Sequence, residues 1–186
     1  MILHIGTQNI HTERLLLRKY NLGDVADIFE NYATDERVTK FLSWEPYENI
    51  ETLQHFVTSQ VSGYCHTVYN WVIEYENRVI GSISVIQTDK KNESCEIGYC
   101  IGYNFWNKGI MTEAVSAVLQ YLLLKVGFRK VYAKHDVDNP ASGIVMRKCN
   151  MLCEGKLREH YRRHDGTFSD SLIYGILQSE FVQPCK

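Results

Sequence analysis

Lys108, Gly109 and Thr112 fall together in the stretch FWNKGIMTEA, residues 105–114. The stretch follows a strand-like run, CEIGYCI, and opens into VSAVLQYLLLKVG, whose apolar residues recur at three- and four-residue steps. A helix start carries unpaired N–H groups and the positive end of the macrodipole. A glycine at that point lets the backbone approach a ligand, Lys108 adds a positive charge and Thr112 a hydroxyl. Lys108, Gly109, Ile110, Met111 and Thr112 therefore make a candidate cradle for a phosphate group. An ordinary strand-to-helix turn accounts for the same residues. Neither GxxxxGK[ST] nor GxGxxG is present.

The elements around this loop read as one domain over residues 1–186, long enough to bury a substantial core. A strand is expected over residues 13–19, a helix over 22–33 capped by Asn21, and a second helix over 50–64. The period then changes. Residues 67–75 and 78–87 read as strands joined by the tight turn Glu76-Asn77, and residues 94–101 as the third strand of a meander. The helix after the loop is expected to stop at Gly127. Residues 130–137 read as a strand and 141–150 as a short helix begun by Asn139 or Pro140. Two closing strands, 156–163 and 168–177, flank the turn residues HDG. The order β-α-α-β-β-β-α-β-α-β-β predicts an α/β (α+β) protein. Its central mixed, mostly antiparallel sheet should have about seven strands with helices over its faces.

A net charge of −2 gives no electrostatic reason to expect nucleic acid or an anionic membrane as partner. The apolar runs are too short to span a bilayer, and the N-terminal residues lack a secretory pattern, so a cytoplasmic protein is expected. Six cysteines with no CxxC pair read as reduced, mostly buried thiols, and no metal site is expected.

The strand EIGYCIG followed by FWNKGIMTEA resembles the acetyl-CoA signature of the GNAT N-acetyltransferases, Gln/Arg-x-x-Gly-x-Gly/Ala. Gly109 matches the invariant glycine, while Trp106 and Met111 depart from the pattern in a way similar to the RimJ/RimL-like branch. TERLLLRKYNLGDVADIFE, DNPASGIVMRKCNMLCEGKLRE and DGTFSDSLIYGIL are similar to that branch's opening, later and closing segments, so the likeness runs from about Thr12 to Leu177. Asn150-Met151 stands where the family often has Gly-Phe. The resemblance implies acetyl-CoA as co-substrate, its pyrophosphate on residues 107–112 and so on Asn107 as well. It implies the pantetheine arm along Ile101, Gly102 and Tyr103, with Asn139 and Ser142 near the thiol. Asn139 and Ser142 also read as a turn residue and a helix cap, and both roles can hold at once.

Acetyl transfer to an amine needs proximity, a neutral nucleophile and donors for the oxyanion and the leaving thiolate. Ser142 is the candidate acid for the thiolate, and backbone N–H groups near Ile101 are candidates for the oxyanion. Glu96 is one candidate base, set against a strand carboxylate facing solvent. The resemblance adds Glu159 and His160, in a segment about one residue longer than in such relatives. Trp44, Glu45 and Tyr47 are candidates for an acceptor lip, or an ordinary loop with partly buried aromatics. Arg162-Arg163-His164 reads as a solvated hairpin tip. The acceptor implied is the N-terminal α-amine of a ribosomal protein. A small amine (polyamine, aminoglycoside-like antibiotic or amino acid) and a CoA-binding module without turnover remain open beside it. Homodimers are common in the branch.

Overall fold

The computed structural model describes residues 2–181. Its eight strands form one sheet in the order β1-β2-β3-β4-β5-β6-β8-β7. The strands are β1 (Ile10–His11), β2 (Leu15–Arg18), β3 (Asn70–Tyr75), β4 (Arg78–Asp89), β5 (Ser94–Ile101), β6 (Lys130–Asp136), β7 (Leu152–Arg162) and β8 (Phe168–Leu177). The helices are α1 (Val25–Ile28), α2 (Glu36–Thr39), α3 (Ile50–Ser62), α4 (Ile110–Gln120) and α5 (Pro140–Lys148). The mixed, mostly antiparallel α/β sheet expected from the sequence is present, with two-residue β1 as an additional strand. The chain divides into two compact units, residues 4–84 with 99–114, and residues 2–3 with 85–98 and 115–181.

The first unit packs α1 and α3 on the strands β2 to β4. Leu53 and Val57 from α3 meet Val25 and Ile28 from α1 over Val72 and Val79, all buried. The helical run over residues 22–33 is not one regular helix. A 3₁₀ turn (Leu22–Asp24) precedes α1, and a π turn (Phe29–Ala33) follows it. Asn21 caps the run as expected, accepting from Gly23 N–H at 2.7 Å. Glu76 and Asn77 take φ of 50° and 60°, the left-handed pair that a type I′ hairpin requires between β3 and β4.

The second unit is built on β6, β8 and β7, with β8 central and antiparallel to both neighbours. The parallel ladder of β5 on β6 pairs Ser94–Glu96 with Lys130–Tyr132, while β5 continues to Ile101 and β6 to Asp136. Gly127, at φ 89°, ends the helical run after α4 as the sequence indicates, its N–H donating to Leu122 O at 3.1 Å. The last turn of that run, Tyr121–Val126, is again a π turn. Of the described cysteines, Cys95 and Cys149 are buried, Cys100 is half-buried, and Cys65 and Cys153 are exposed; all are free thiols. Cys185 lies outside the described residues. Among the described residues no helix is long and apolar enough to cross a membrane, and no group of three or more His, Cys, Asp or Glu could hold a metal ion.

Candidate active site

In the first unit β5 ends at Ile101 and a single 3₁₀ turn, Tyr103–Phe105, leads into the loop that opens α4. Gly102 donates its N–H to Ile80 O at 2.8 Å. A side chain there would meet Asn31 O at 2.4 Å, so glycine is what lets the π turn pack on the strand end. Trp106 Nε1–H donates to Ile101 O at 2.9 Å and so ties the start of the loop back to the strand end. Successive strand residues alternate in direction, so the Ile101 N–H faces the edge away from β4. Tyr103 is exposed, with the Arg37 guanidinium 3.7 Å from its ring centroid and Trp106 packed beside it.

The loop itself turns on two left-handed residues, Asn107 at φ 59° and Gly109 at φ 75°. Gly109 O accepts from Glu113 N–H at 3.1 Å, making Gly109 the residue from which α4 departs. Space above Gly109 is open; the nearest atom to an added Cβ is Arg14 Nη2, at 3.7 Å. Asn107, Lys108 and Gly109 are exposed, whereas the Ile110 and Met111 side chains are buried in the core. Ile110 and Met111 can therefore offer a ligand their backbone N–H groups only. Lys108 extends its ammonium over the Phe105 ring, 5.6 Å from the centroid. An open left-handed glycine at a helix N-terminus, flanked by a lysine, fits a pyrophosphate.

Three further groups hold this loop. Glu113, in the first turn of α4, accepts from Thr12 Oγ1 at 2.6 Å, Arg14 N at 3.0 Å and Arg14 Nε at 2.7 Å. Arg14 Nη1 reaches Lys108 O at 3.1 Å. Burial acts to raise the Glu113 carboxyl, but the bonds from Thr12 and Arg14 outweigh it and hold it below the ordinary value.

In the second unit Asn139 and Ser142 stand at the start of α5. Asn139 caps the helix, with Ser142 N–H at 3.5 Å from its Oδ1, and its Nδ2 donates to Ser142 Oγ at 3.2 Å. The turn they occupy is organised by Asp136. Its backbone oxygen accepts from Asn139 N–H at 2.8 Å, and its Oδ1 from Asp138 N–H at 2.9 Å. Its carboxylate also takes Arg163 Nε at 2.8 Å, Arg163 Nη2 at 2.7 Å and Ser169 Oγ at 2.6 Å. The Asp136 side chain is only 2% exposed. Burial acts to raise its carboxyl, but the Arg163 and Ser169 bonds prevail and hold it at about 2. Arg163, expected on a solvated hairpin tip, is instead the partner of this buried carboxylate and of Asp138. Trp44 and Tyr47 pack against the core of the first unit, and Glu45 is exposed.

The candidate bases do not converge. Glu96 does not face solvent. It is buried beside Tyr132, with its carboxylate 3.1 Å from Lys134 Nζ. Burial, followed by the adjacent Glu96 charge, raises the Tyr132 phenol. Glu159 is exposed on β7 in a bulge: Leu157 pairs with Ser171 and Tyr161 with Ser169, so three residues of β7 face one of β8. Glu159 takes φ of 47°, its N–H donating to Asp170 Oδ1 at 2.8 Å, and it lines a cleft of about 590 Å³ with Lys156, Leu157, Arg158 and Asp170. His160 Nδ1 lies 3.2 Å from Ser171 Oγ. Glu96 and Glu159 stand three strands apart in the sheet order, about 14 Å at the usual spacing. One site cannot use both as neighbours.

Residues 14–152 match the model of the acetyltransferase (GNAT) domain. The chain belongs to the GNAT acetyltransferases. It is similar to the uncharacterized N-acetyltransferase p20 of Bacillus licheniformis, 28% identical over 94% of this chain and 99% of that one. It is 30% identical to the uncharacterized N-acetyltransferase YoaA of Bacillus subtilis over 91% of this chain and 96% of the other. The ribosomal-protein-serine acetyltransferase of Escherichia coli is 26% identical over 75% of this chain and 79% of its own length. A GNAT-family acetyltransferase structure from Bacillus anthracis superposes with a TM-score of 0.82 at 26% identity, covering 93% of this chain and all of that one. The structure of RimL, a ribosomal L7/L12 α-N-protein acetyltransferase in complex with coenzyme A, shares the fold, with a TM-score of 0.80 at 22% identity. That match covers 91% of this chain and 98% of RimL. The protein is thus an N-acetyltransferase with a GNAT fold.

Within that GNAT frame, reading the sequence brought out the loop residues but missed what anchors them. Arg14 lies 99 residues from Glu113, and neither carries a local signal of the pairing. TERL was visible as a family-like opening, which was the only available pointer to Arg14.

Proposed function

We propose that this GNAT enzyme transfers acetyl from acetyl-CoA to the N-terminal α-amine of a protein, of the ribosomal-protein type. The observation that carries the acetyl-CoA half is the open left-handed Gly109 at the start of α4, beside Lys108. Residues 107–112 hold the pyrophosphate; Ile101, Gly102 and Tyr103 lie along the pantetheine arm, and Asn139 and Ser142 lie near its thiol. The Ile101 N–H is the donor for the thioester oxygen and Ser142 the acid for the departing thiolate. The amine attacks the thioester directly in a ternary complex.

Two observations support an α-amine acceptor. One is the similarity to an enzyme named for acetylating a ribosomal protein. The other is chemical. An α-amine, with a pKa of about 7.7–8.0, is substantially neutral near physiological pH, whereas a lysine near 10.4 is almost wholly protonated. Glu96, already engaged with Lys134, is poorly placed to serve the more demanding acceptor.

The test is thiol release from acetyl-CoA with a panel of acceptors: peptides with free N-terminal serine or alanine, the same peptides blocked but with an internal lysine, spermidine and an aminoglycoside. Turnover confined to the free N-termini, and lost in the Lys108→Ala/Gly109→Pro variant, is expected. Turnover with the small amines alone would overturn the acceptor.

A further inference from the structure

We infer that Arg14 is a positioning residue for acetyl-CoA, a clamp that sets the orientation of the Lys108–Gly109 peptide and neutralises Glu113 at the mouth of the pyrophosphate loop. This rests on the proposed role of residues 107–112.

The start of α4 holds an electrostatic conflict. A helix N-terminus attracts anions, yet α4 carries Glu113 in its first turn. An uncompensated carboxylate there would repel a pyrophosphate. Arg14 removes the conflict by giving Glu113 both a side-chain and a backbone donor, and Thr12 adds a third. All three donors come from the segment joining β1 to β2, so the edge of the sheet buttresses the loop.

The second contribution is geometric. Arg14 Nη1 holds Lys108 O at 3.1 Å. A loop carbonyl turned toward a phosphate would be repulsive. Across a trans peptide the Lys108 C=O and the Gly109 N–H point in opposite directions. Holding the carbonyl on the Arg14 side therefore presents the Gly109 N–H on the other side. Asn107 and Gly109, both left-handed, place the intervening peptide where one guanidinium can reach it and Glu113 together. A lysine could not replace this, because its single ammonium lacks the fork that spans the two acceptors.

The experiment measures acetyl-CoA binding by calorimetry, and KM and kcat with the best acceptor, for wild type, Arg14→Gln, Arg14→Lys and Thr12→Val. Thermal melting of each confirms that it is folded. Expected is a loss of acetyl-CoA affinity of about tenfold for both Arg14 variants, the scale of a charge-assisted hydrogen bond. The acetyl-CoA KM should rise with it, and the acceptor KM should be unchanged. Thr12→Val, which keeps the guanidinium, should lose less than either Arg14 variant. Equal affinity in wild type and Arg14→Gln would overturn the clamp while leaving the loop assignment standing. An effect on kcat alone, or full rescue by Arg14→Lys, would also overturn it. Absence of acetyl-CoA binding by the wild type would overturn the loop assignment, and the clamp with it.

Discussion

Two turns of this protein carry proposed site residues, and they are anchored by opposite means. The turn from β6 into α5 is built around Asp136, a buried carboxylate with four donors, two from Arg163, one from Ser169 and the Asp138 N–H, while its backbone oxygen accepts from the Asn139 N–H. The loop from β5 into α4 is exposed, and its anchor is the Arg14–Glu113 pair, with side chains 39% and 19% accessible. A buried pair is costly to break because the remaining charge is stranded, whereas an exposed pair adds little to stability. The first device is suited to holding a helix start in one arrangement. The second can shape a ligand site without much influence on whether the chain folds.

The largest effect is expected at Asp136. Asp136→Asn removes the buried charge that accepts from Arg163 and Ser169, while Arg163 keeps Asp138, and a loss of about 1.5–3 kcal/mol in urea denaturation is expected. A loss below about 1 kcal/mol would place the two anchors in the same class and remove the distinction.

The next effect is the pH dependence of that same group. The Asp136 carboxyl sits at about 2 in the folded protein, against 3.8 in its ordinary state. A depressed folded value contributes stability that is fully present above the ordinary value and is lost as pH falls through about 2. The unfolding free energy measured between pH 5 and pH 2 should therefore fall on the order of 2 kcal/mol more in wild type than in Asp136→Asn. Parallel slopes for the two proteins would contradict the assignment.

The smallest stability effect belongs to the clamp. Arg14→Gln should lose under about 1 kcal/mol in the same urea titration. A loss as large as that of Asp136→Asn would make Arg14 a folding residue, and its effect on acetyl-CoA would then have no separate meaning.

What was legible in the sequence follows the same division between local and distant. Asn21 as a cap, Glu76-Asn77 as a hairpin turn and Gly127 as a helix stop are backbone requirements met by the residue itself, so single positions announced them. β5 runs over residues 94–101, the bounds its β-rich sequence indicates. The π turns at Phe29–Ala33 and Tyr121–Val126 were hidden because their apolar spacing departs little from that of a regular helix. The loop residues were visible because glycine and lysine at a strand-to-helix junction have a physical meaning by themselves. The anchors were not. Arg163 looked like an exposed basic residue until β8 and the turn after β6 brought Asp136 and Ser169 to it. Glu96 on a strand suits a base or a solvent-facing carboxylate equally by sequence, and its neighbour on β6, Lys134, explains where it sits.

Calorimetric titration of acetyl-CoA into wild type and Gly109→Val tests whether residues 107–112 hold the pyrophosphate. A β-branched side chain at φ 75° strains the backbone that opens α4 and occupies the space above it. Saturable binding by wild type is expected, with affinity at least about tenfold weaker in the folded variant. Undiminished affinity in a folded Gly109→Val protein would contradict it.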